Sequence, residues 1–487
     1  MKQKAGLKTD TVKHTKVESV INRKTSGART LTSVIRTYSF ENGEIERVQS
    51  VSGFSWDELS FLRPSFNPAG FERITTLYSR FIVPRARYIF GRMVLFTVPV
   101  DYVIPKEVTD FRLSGTKNAK LSGHASANAK TLLTAYLSKN IRLNGKGVPH
   151  FRNALSKQIW EDLSKKGCLS VICGLLPFTR FLQVDSLAGF LSENEPDAAI
   201  KVNASFFVMD AFDVGCFSDR ISTPLGLCVK DGKVLNPPLF DREALLVSCD
   251  GSVTVRPFSL SELTFTINGT AFPSNTRLFE RPRRTRVFCA HGKYALIIGT
   301  HVDAVFNSGL IRVPESGFIL KLPASANVSP GDEVTYNGAE KIKFGISVGN
   351  SILIDNTATT EFLSRFYRIR KQLGFRAFPP SLYPHNFEHA RAPRIAIGAD
   401  SQNNPVILWA EGPGKFGYEK GKGSVGASLS EMIAYCRDAG MANAVNLDGG
   451  GSAQILLNNL RSLEVSDRDS TTCSEIERAV PMGLFVK

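Results

Sequence analysis

The sequence is poor in the residues that build metal and redox centres: it has seven histidines and eight cysteines in 487 residues. No two cysteines form a CxxC pair, and no zinc-like spacing occurs. The one histidine pair at i, i+4, His385 and His389, lies in a proline-rich stretch where a helical metal face is not expected. No metal and no cofactor is therefore expected. Several cysteines sit in apolar, strand-like runs (LGLCVKDG, ALLVSCDG, TRVFCAHG), where a cysteine acts as a small buried hydrophobe, so they are expected to be reduced. Long apolar runs are missing as well. MVLFTVPVDYVIP (93–105) and CLSVICGLLPF (168–178) fall short of the roughly 20 residues that span a bilayer. The opening MKQKAGLKTDTVKHTKVES has no apolar leader segment, so a soluble chain is expected, with its compartment open. The stretch DGGGS (448–452) fits neither G-x-x-x-x-G-K-[ST] nor G-x-G-x-x-G running into a helix, because its glycines run into AQILLN, which reads as a strand, so both nucleotide-loop readings of it are poor. No RNP motif or dense Lys/Arg run marks a nucleic-acid module.

What is present is an ordinary globular composition, 43% hydrophobic and 22% charged, with a net charge of +15. That charge is concentrated: residues 1–165 hold 27 Lys and Arg against 13 Asp and Glu, while the rest of the chain is nearly balanced. Two readings stand: a basic region that holds a polyanion (a phosphoglycan, nucleic acid or membrane surface), or a solubilising region with no dedicated partner.

The polar, Ser/Thr/Lys-rich residues 1–50 are expected to form a flexible basic arm. Residues 51–167 read as a folded region of unknown role, with a helix expected near AKTLLTAYLSKNIRL (129–143). From about residue 168 the chain becomes a series of short β runs punctuated by Gly, Asp and Asn, and KDGK and CDGS carry the Asp-Gly signal of tight hairpins. One helix stands out, SLSEMIAYCRDAGM (428–441), opened by a Ser428–Glu431 capping box and stopped by Gly440. The expected class is α+β (mixed α/β): a largely antiparallel, β-rich catalytic domain over 168–487 with few helices, beside a smaller basic N-terminal region.

After that helix comes NAVNLDGGGSAQILLNN (443–459), in which three glycines separate two apolar strands. Glycine loses the most freedom on folding, so three in a row indicate a backbone that something approaches closely. Two readings are even at this point: a ligand against the loop, or a wide hairpin in which Asp448 satisfies local N–H groups.

The order of blocks tips the balance. AIKVNASFF, TPLGLCVKDGKV, VPESGFIL with PGDEV, GNSILIDN, RIAIGAD, SLSEM, NAVNLDGGGSA and ERAV form a series that resembles the phosphodiester glycosidase family over about residues 168–487. One departure is Asn203-Ala204-Ser205-Phe206-Phe207, where the family has Asn-Gly-Gly-Phe-Phe. The resemblance implies hydrolysis of the bond between a sugar's anomeric carbon and a phosphodiester oxygen, with a sugar-phosphodiester as substrate. Such chemistry needs donors for the phosphate and a carboxylate beside an oxocarbenium-like carbon. Asp448 is the candidate nucleophile or general base, Arg394 the candidate phosphate ligand and Glu431 the candidate second carboxylate. Gly449, Gly450 and Gly451 are candidate backbone donors, Ser452 a candidate hydroxyl, and Asn203, Asn446 and Asp400 candidate substrate contacts. Each has a duller counterpart, above all Glu431 as a helix cap and Asp400 as a turn residue. Two other functions stay open: a non-catalytic glycan-binding protein that keeps the pocket, and a basic structural or nucleic-acid-associated protein.

Overall fold

The computed structural model describes residues 14–26, 29–62, 73–81, 88–98, 141–143, 148–166, 169–177, 180–181, 185–186, 195, 197–208, 220–221, 223–240, 242–273, 276–281, 283–347, 351–358, 391–412, 423–467, 475 and 478–487, with scattered positions between 103 and 140. The chain divides into two compact units, Met1–Arg63 with Val184–Lys487, and Pro64–Gln183.

The first unit is organised around an eight-stranded sheet. Its strand order is His14–Ser26, Arg29–Phe40, Ile45–Ser52, Pro405–Ala410, Arg394–Asp400, Met441–Asn446, Ser351–Ile354 and Thr357–Ala358. Neighbouring strands all pair antiparallel. Side chains alternate between faces along a strand, and the central strands use both. Ile395, Ile397, Ile407, Trp409 and Val445 pack on one side against Ile200, Val202, Ile455 and Leu484. Ala396, Leu408, Ala410 and Ala444 pack on the other against Met432, Tyr435 and Cys436 of the helix Leu429–Asp438. That explains why RIAIGAD and PVILWA are continuous apolar runs: they are buried on both faces.

Ile455–Leu457, Ile200–Asn203, Gly483–Val486 and Leu59–Leu62 make a four-stranded sheet. Lys233–Asn236, Cys228–Lys230, Ile342–Ile346, Glu243–Ser248 and Val253–Pro257 make a five-stranded one. The Asp-Gly signals are hairpin turns: Asp231 (φ 47°) and Gly232 (φ 75°) join one pair, with both residues left-handed as a type I′ turn requires. Asp250, whose Oδ1 accepts from the Ser252 N–H at 2.9 Å, turns the other. Cys228, Cys289 and Cys436 are buried and Cys249 is exposed; none of the four is in a disulfide.

In the second unit, Arg73–Phe81, Tyr88–Val98 and Leu169–Pro177 form an antiparallel sheet. The helix Ala154–Lys165 starts at Asn153, whose side chain accepts from the Ser156 N–H at 2.8 Å.

The described residues are largely antiparallel and β-rich with few helices, as expected, but do not clearly form an α+β fold. Two other expectations need correction. Residues 29–52 are not a loose arm: Tyr38, Val48 and Val51 are buried within the large sheet. They read as polar in sequence because Glu46, Gln49 and Ser50 are polar yet buried, and the strand that completes them, Pro405–Ala410, lies far along the chain. The helix expected over 129–143 ends early, because Ile141–Leu143 is a strand paired with Pro149–Phe151; only Leu133, Tyr136, Leu137 and Asn140 are described before it. His385 and His389 lie outside the described residues. Among the described residues no helix is long and apolar enough to cross a membrane, and no cluster of three or more His, Cys, Asp or Glu could hold a metal ion.

Candidate active site

One end of the eight-stranded sheet collects most of the chemistry. The strand Met441–Asn446 runs beside Arg394–Asp400 with Asn446 opposite Ala396. The ladder continues past the strand end: the Leu447 N–H donates to the Ile395 carbonyl at 2.8 Å and the Gly450 N–H to the Pro393 carbonyl at 2.9 Å. The DGGGS loop is therefore laid along Pro393–Arg394. Its other flank is held by the strand Ile200–Asn203. The Asp448 N–H donates to the Ala204 carbonyl at 3.2 Å. Asn203 Nδ2 donates to the Asp448 carbonyl at 2.9 Å, while its Oδ1 accepts from the Gln454 N–H at 2.9 Å. One asparagine thus clamps the loop at both ends.

Each glycine meets a different demand. A side chain on Gly449 would press on the Pro393 carbonyl at 2.6 Å. Gly450 takes a left-handed φ of 61°. A Cβ on Gly451 would collide with the Asp467 carboxylate and the Arg478 guanidinium. The open nest of three donors expected from the sequence is partly spent within the loop, since the Gly449 N–H donates to Asp448 Oδ1 at 3.0 Å and the Gly450 N–H to Pro393.

Asp448 is 7% exposed. Burial pushes its carboxyl up to about 7, although Ser452, Arg478 and the Gly449 N–H each pull the other way. Desolvation wins, which leaves a carboxyl that exchanges its proton near neutrality. The cation acting on it is Arg478, which donates to Ser452 Oγ at 3.5 Å and pairs with Asp467 at 2.9 Å. Asp467 and Arg478 carry no signal of their own in the sequence, although Arg478 lies in the ERAV block that closes the matched series.

Arg394 is 2% exposed, and burial lowers its guanidinium to about 10, so it remains charged at neutral pH. Its Nε donates to the Ala427 carbonyl at 3.0 Å, tying the strand to the start of the helix Leu429–Asp438. Glu431 completes the expected capping box, accepting from the Ser428 N–H at 2.8 Å and pairing with Arg391 at 2.5 Å. Asn446 donates to the Leu447 carbonyl at 2.7 Å, and its buried Oδ1 has no hydrogen-bond partner. Buried Ser205 Oγ and Gln454 Oε1 have none either. Unsatisfied polar atoms at this depth are costly, and these three flank the loop and its clamp along the sequence.

Asp400 stands apart. It lies at the opposite end of its strand from Arg394, about 20 Å away at the usual strand rise. Its carboxylate accepts from the N–H groups of Gln402 and Asn404 at 2.9 and 2.8 Å, which builds the turn.

One sheet end thus holds a buried carboxyl on a glycine loop, with Arg478 acting on it and the Arg394 backbone alongside. Residues 302–487 match the family described as phosphodiester glycosidase, and this segment contains the whole loop, Arg394, Glu431, Asp467 and Arg478. Three solved structures are similar over most of the chain. A hypothetical protein from Synechocystis is 13% identical, covering 97% of this chain and 81% of its own, with TM-score 0.36. A putative exported protein from Burkholderia pseudomallei is 14% identical, covering 97% of both chains, with TM-score 0.41. The catalytic domain of zebrafish N-acetylglucosamine-1-phosphodiester alpha-N-acetylglucosaminidase, auto-inhibited by its pro-peptide, is 11% identical, covering 96% of this chain and 87% of its own, with TM-score 0.40. No curated protein matches the chain. The family match leaves out Asn203, which the fold brings to the loop from elsewhere in the sequence.

Proposed function

We propose that the chain is a glycoside hydrolase that cleaves the anomeric C–O bond of a sugar-1-phosphodiester, such as an N-acetylglucosamine-1-phosphodiester, giving free sugar and a phosphomonoester. The observation that carries this reading is the Asp448 carboxyl, buried in the glycine loop and poised near neutrality. A general base is most effective when its pKa lies close to the working pH. In the ionised form Asp448 takes a proton from the attacking water as the oxygen closes on the anomeric carbon. The C–O bond to phosphate breaks, and the leaving oxygen departs with its electron pair as part of a phosphomonoester. Such a leaving group is already stable as an anion, so little help from a general acid is required. Arg478, the cation that acts on Asp448, supplies positive charge where the phosphate oxygens gather negative charge, and buried Arg394 anchors the strand beneath the loop. The buried, unsatisfied oxygens of Asn446, Ser205 and Gln454 are acceptors suited to sugar hydroxyls. Glu431 acts through its cap and its Arg391 pair, which fix the helix start that Arg394 grips.

The test is release of reducing sugar from a nucleotide-linked or chromogenic sugar-1-phosphodiester by the full chain, with Asp448→Asn as comparison. Turnover that falls at least a hundredfold in the variant is the expected result. Turnover that survives Asp448→Asn unchanged removes the catalytic assignment, and binding of these esters without turnover by the unaltered chain makes the protein a phosphoglycan binder instead.

A further inference from the structure

Away from this site, a two-stranded ribbon carries an unusual outer face. Arg286–Cys289 pairs antiparallel with Gly309–Arg312, placing Arg286 opposite Arg312 and Phe288 opposite Leu310. The alternate residues Val287, Cys289, Ile311 and Val313 point inward and are buried in a core cluster. The outward face therefore carries exposed Arg286 opposite half-buried Arg312 and, next to them, two large apolar side chains side by side. Phe288 is 69% exposed and Leu310 is 63% exposed. The preceding turn adds Arg283 and Arg284, both exposed; Arg283 lies 4.0 Å from the Glu280 carboxylate. Large apolar surface left in water costs free energy. A partner that presents negative charge and an apolar interior together covers Phe288 and Leu310 and meets the exposed Arg284 and Arg286.

We propose that this ribbon is a docking site for an anionic lipid surface. Phe288 and Leu310 enter the boundary between headgroups and acyl chains, while the exposed Arg284 and Arg286 contact lipid phosphates and carboxylates. Their aliphatic stems lie along the apolar pair. A nucleic acid or sulfated glycan fits the arginines but not Leu310, which has no ring to stack on a base and no donor for a sugar. The charge is local: it lies in the part of the chain whose overall balance is near neutral, outside the basic residues 1–165. Attachment to a membrane through this face is independent of the hydrolase reading and is tested without any activity.

The experiment is co-sedimentation of the full chain with phosphatidylcholine vesicles, with and without roughly a third phosphatidylserine, at low and moderate salt. The expected result is binding to the anionic vesicles that weakens with salt and is absent on pure phosphatidylcholine. Phe288→Ser with Leu310→Ser, and separately Arg284→Glu with Arg286→Glu, should each weaken binding at least tenfold with unchanged unfolding curves. A Val20→Ser, Ile21→Ser variant, altered on another exposed apolar strip, should bind as the parent does. Equal binding to neutral vesicles overturns the proposal, as does anionic-vesicle binding that ignores the Phe288/Leu310 variant. Absence of vesicle binding combined with capture on heparin or RNA overturns it in favour of a polyanion.

Discussion

Replacing Asp448 with asparagine should remove activity and make the protein more stable, by an amount that depends on pH. In the folded chain the carboxyl is raised from its ordinary 3.8 to about 7 by burial. Folding therefore favours the protonated form. The stabilisation tied to that proton is complete below the unfolded value and is lost as pH rises through the folded one. A shift of about three units corresponds to roughly 4 kcal/mol. The substituted amide would keep an oxygen to accept from the Gly449 N–H and place an NH2 where the protonated acid carries its O–H. Being neutral at every pH, it escapes the penalty. Relative to the unaltered chain, the variant should gain under about 1 kcal/mol at pH 4, between 1 and 2 (~1.7) at pH 5, and roughly 4 at pH 8. Urea unfolding of both proteins across this range reads the difference directly, beside an activity assay in which the variant falls by about a hundredfold or more. A stability difference that stays flat from pH 4 to pH 8, or that favours the unaltered chain at pH 8, refutes the argument.

Two further outcomes follow from the same geometry. Gly451→Ala drives a Cβ into the Asp467–Arg478 pair, so activity on the phosphodiester should drop by one to two orders of magnitude. Its thermal midpoint should move by less than that of a core variant such as Trp409→Ala, since Arg478 and Asp467 are each partly exposed. Arg281 and Glu315 form a nearly buried pair at 2.9 Å; Arg281→Met alone should cost about 3–5 kcal/mol in chemical unfolding, and adding Glu315→Leu should recover most of it.

Much of the candidate site's local structure was legible because its parts lie in short local signals. The Ser428–Glu431 box, the Asp-Gly turns and the position of Asp448 before three glycines are all written within a few residues, and the structure gives each a local hydrogen bond or a backbone angle. What escaped depends on distant partners. Arg478 and Asp467 reach the loop from 26 and 15 residues beyond Ser452, by pairings that no spacing rule encodes. The strands at 29–52 read as a polar arm, because polar Glu46, Gln49 and Ser50 are buried in them and their packing waits on Pro405–Ala410. The glycines were expected to offer donors, whereas two of their N–H groups are engaged by Asp448 and Pro393 and the space is used for close packing. Asp400 looked like a site residue by its place in RIAIGAD, yet a strand of seven residues carries it to the far end of the sheet.

The central claim is cleavage at the anomeric carbon, and turnover in 18O-labelled water tests it most directly. Incubated with a sugar-1-phosphodiester, the full chain should place the label in the C1 hydroxyl of the released sugar and leave the phosphomonoester unlabelled. Label in the phosphate instead means attack at phosphorus, which contradicts the general-base role of Asp448 at the anomeric carbon.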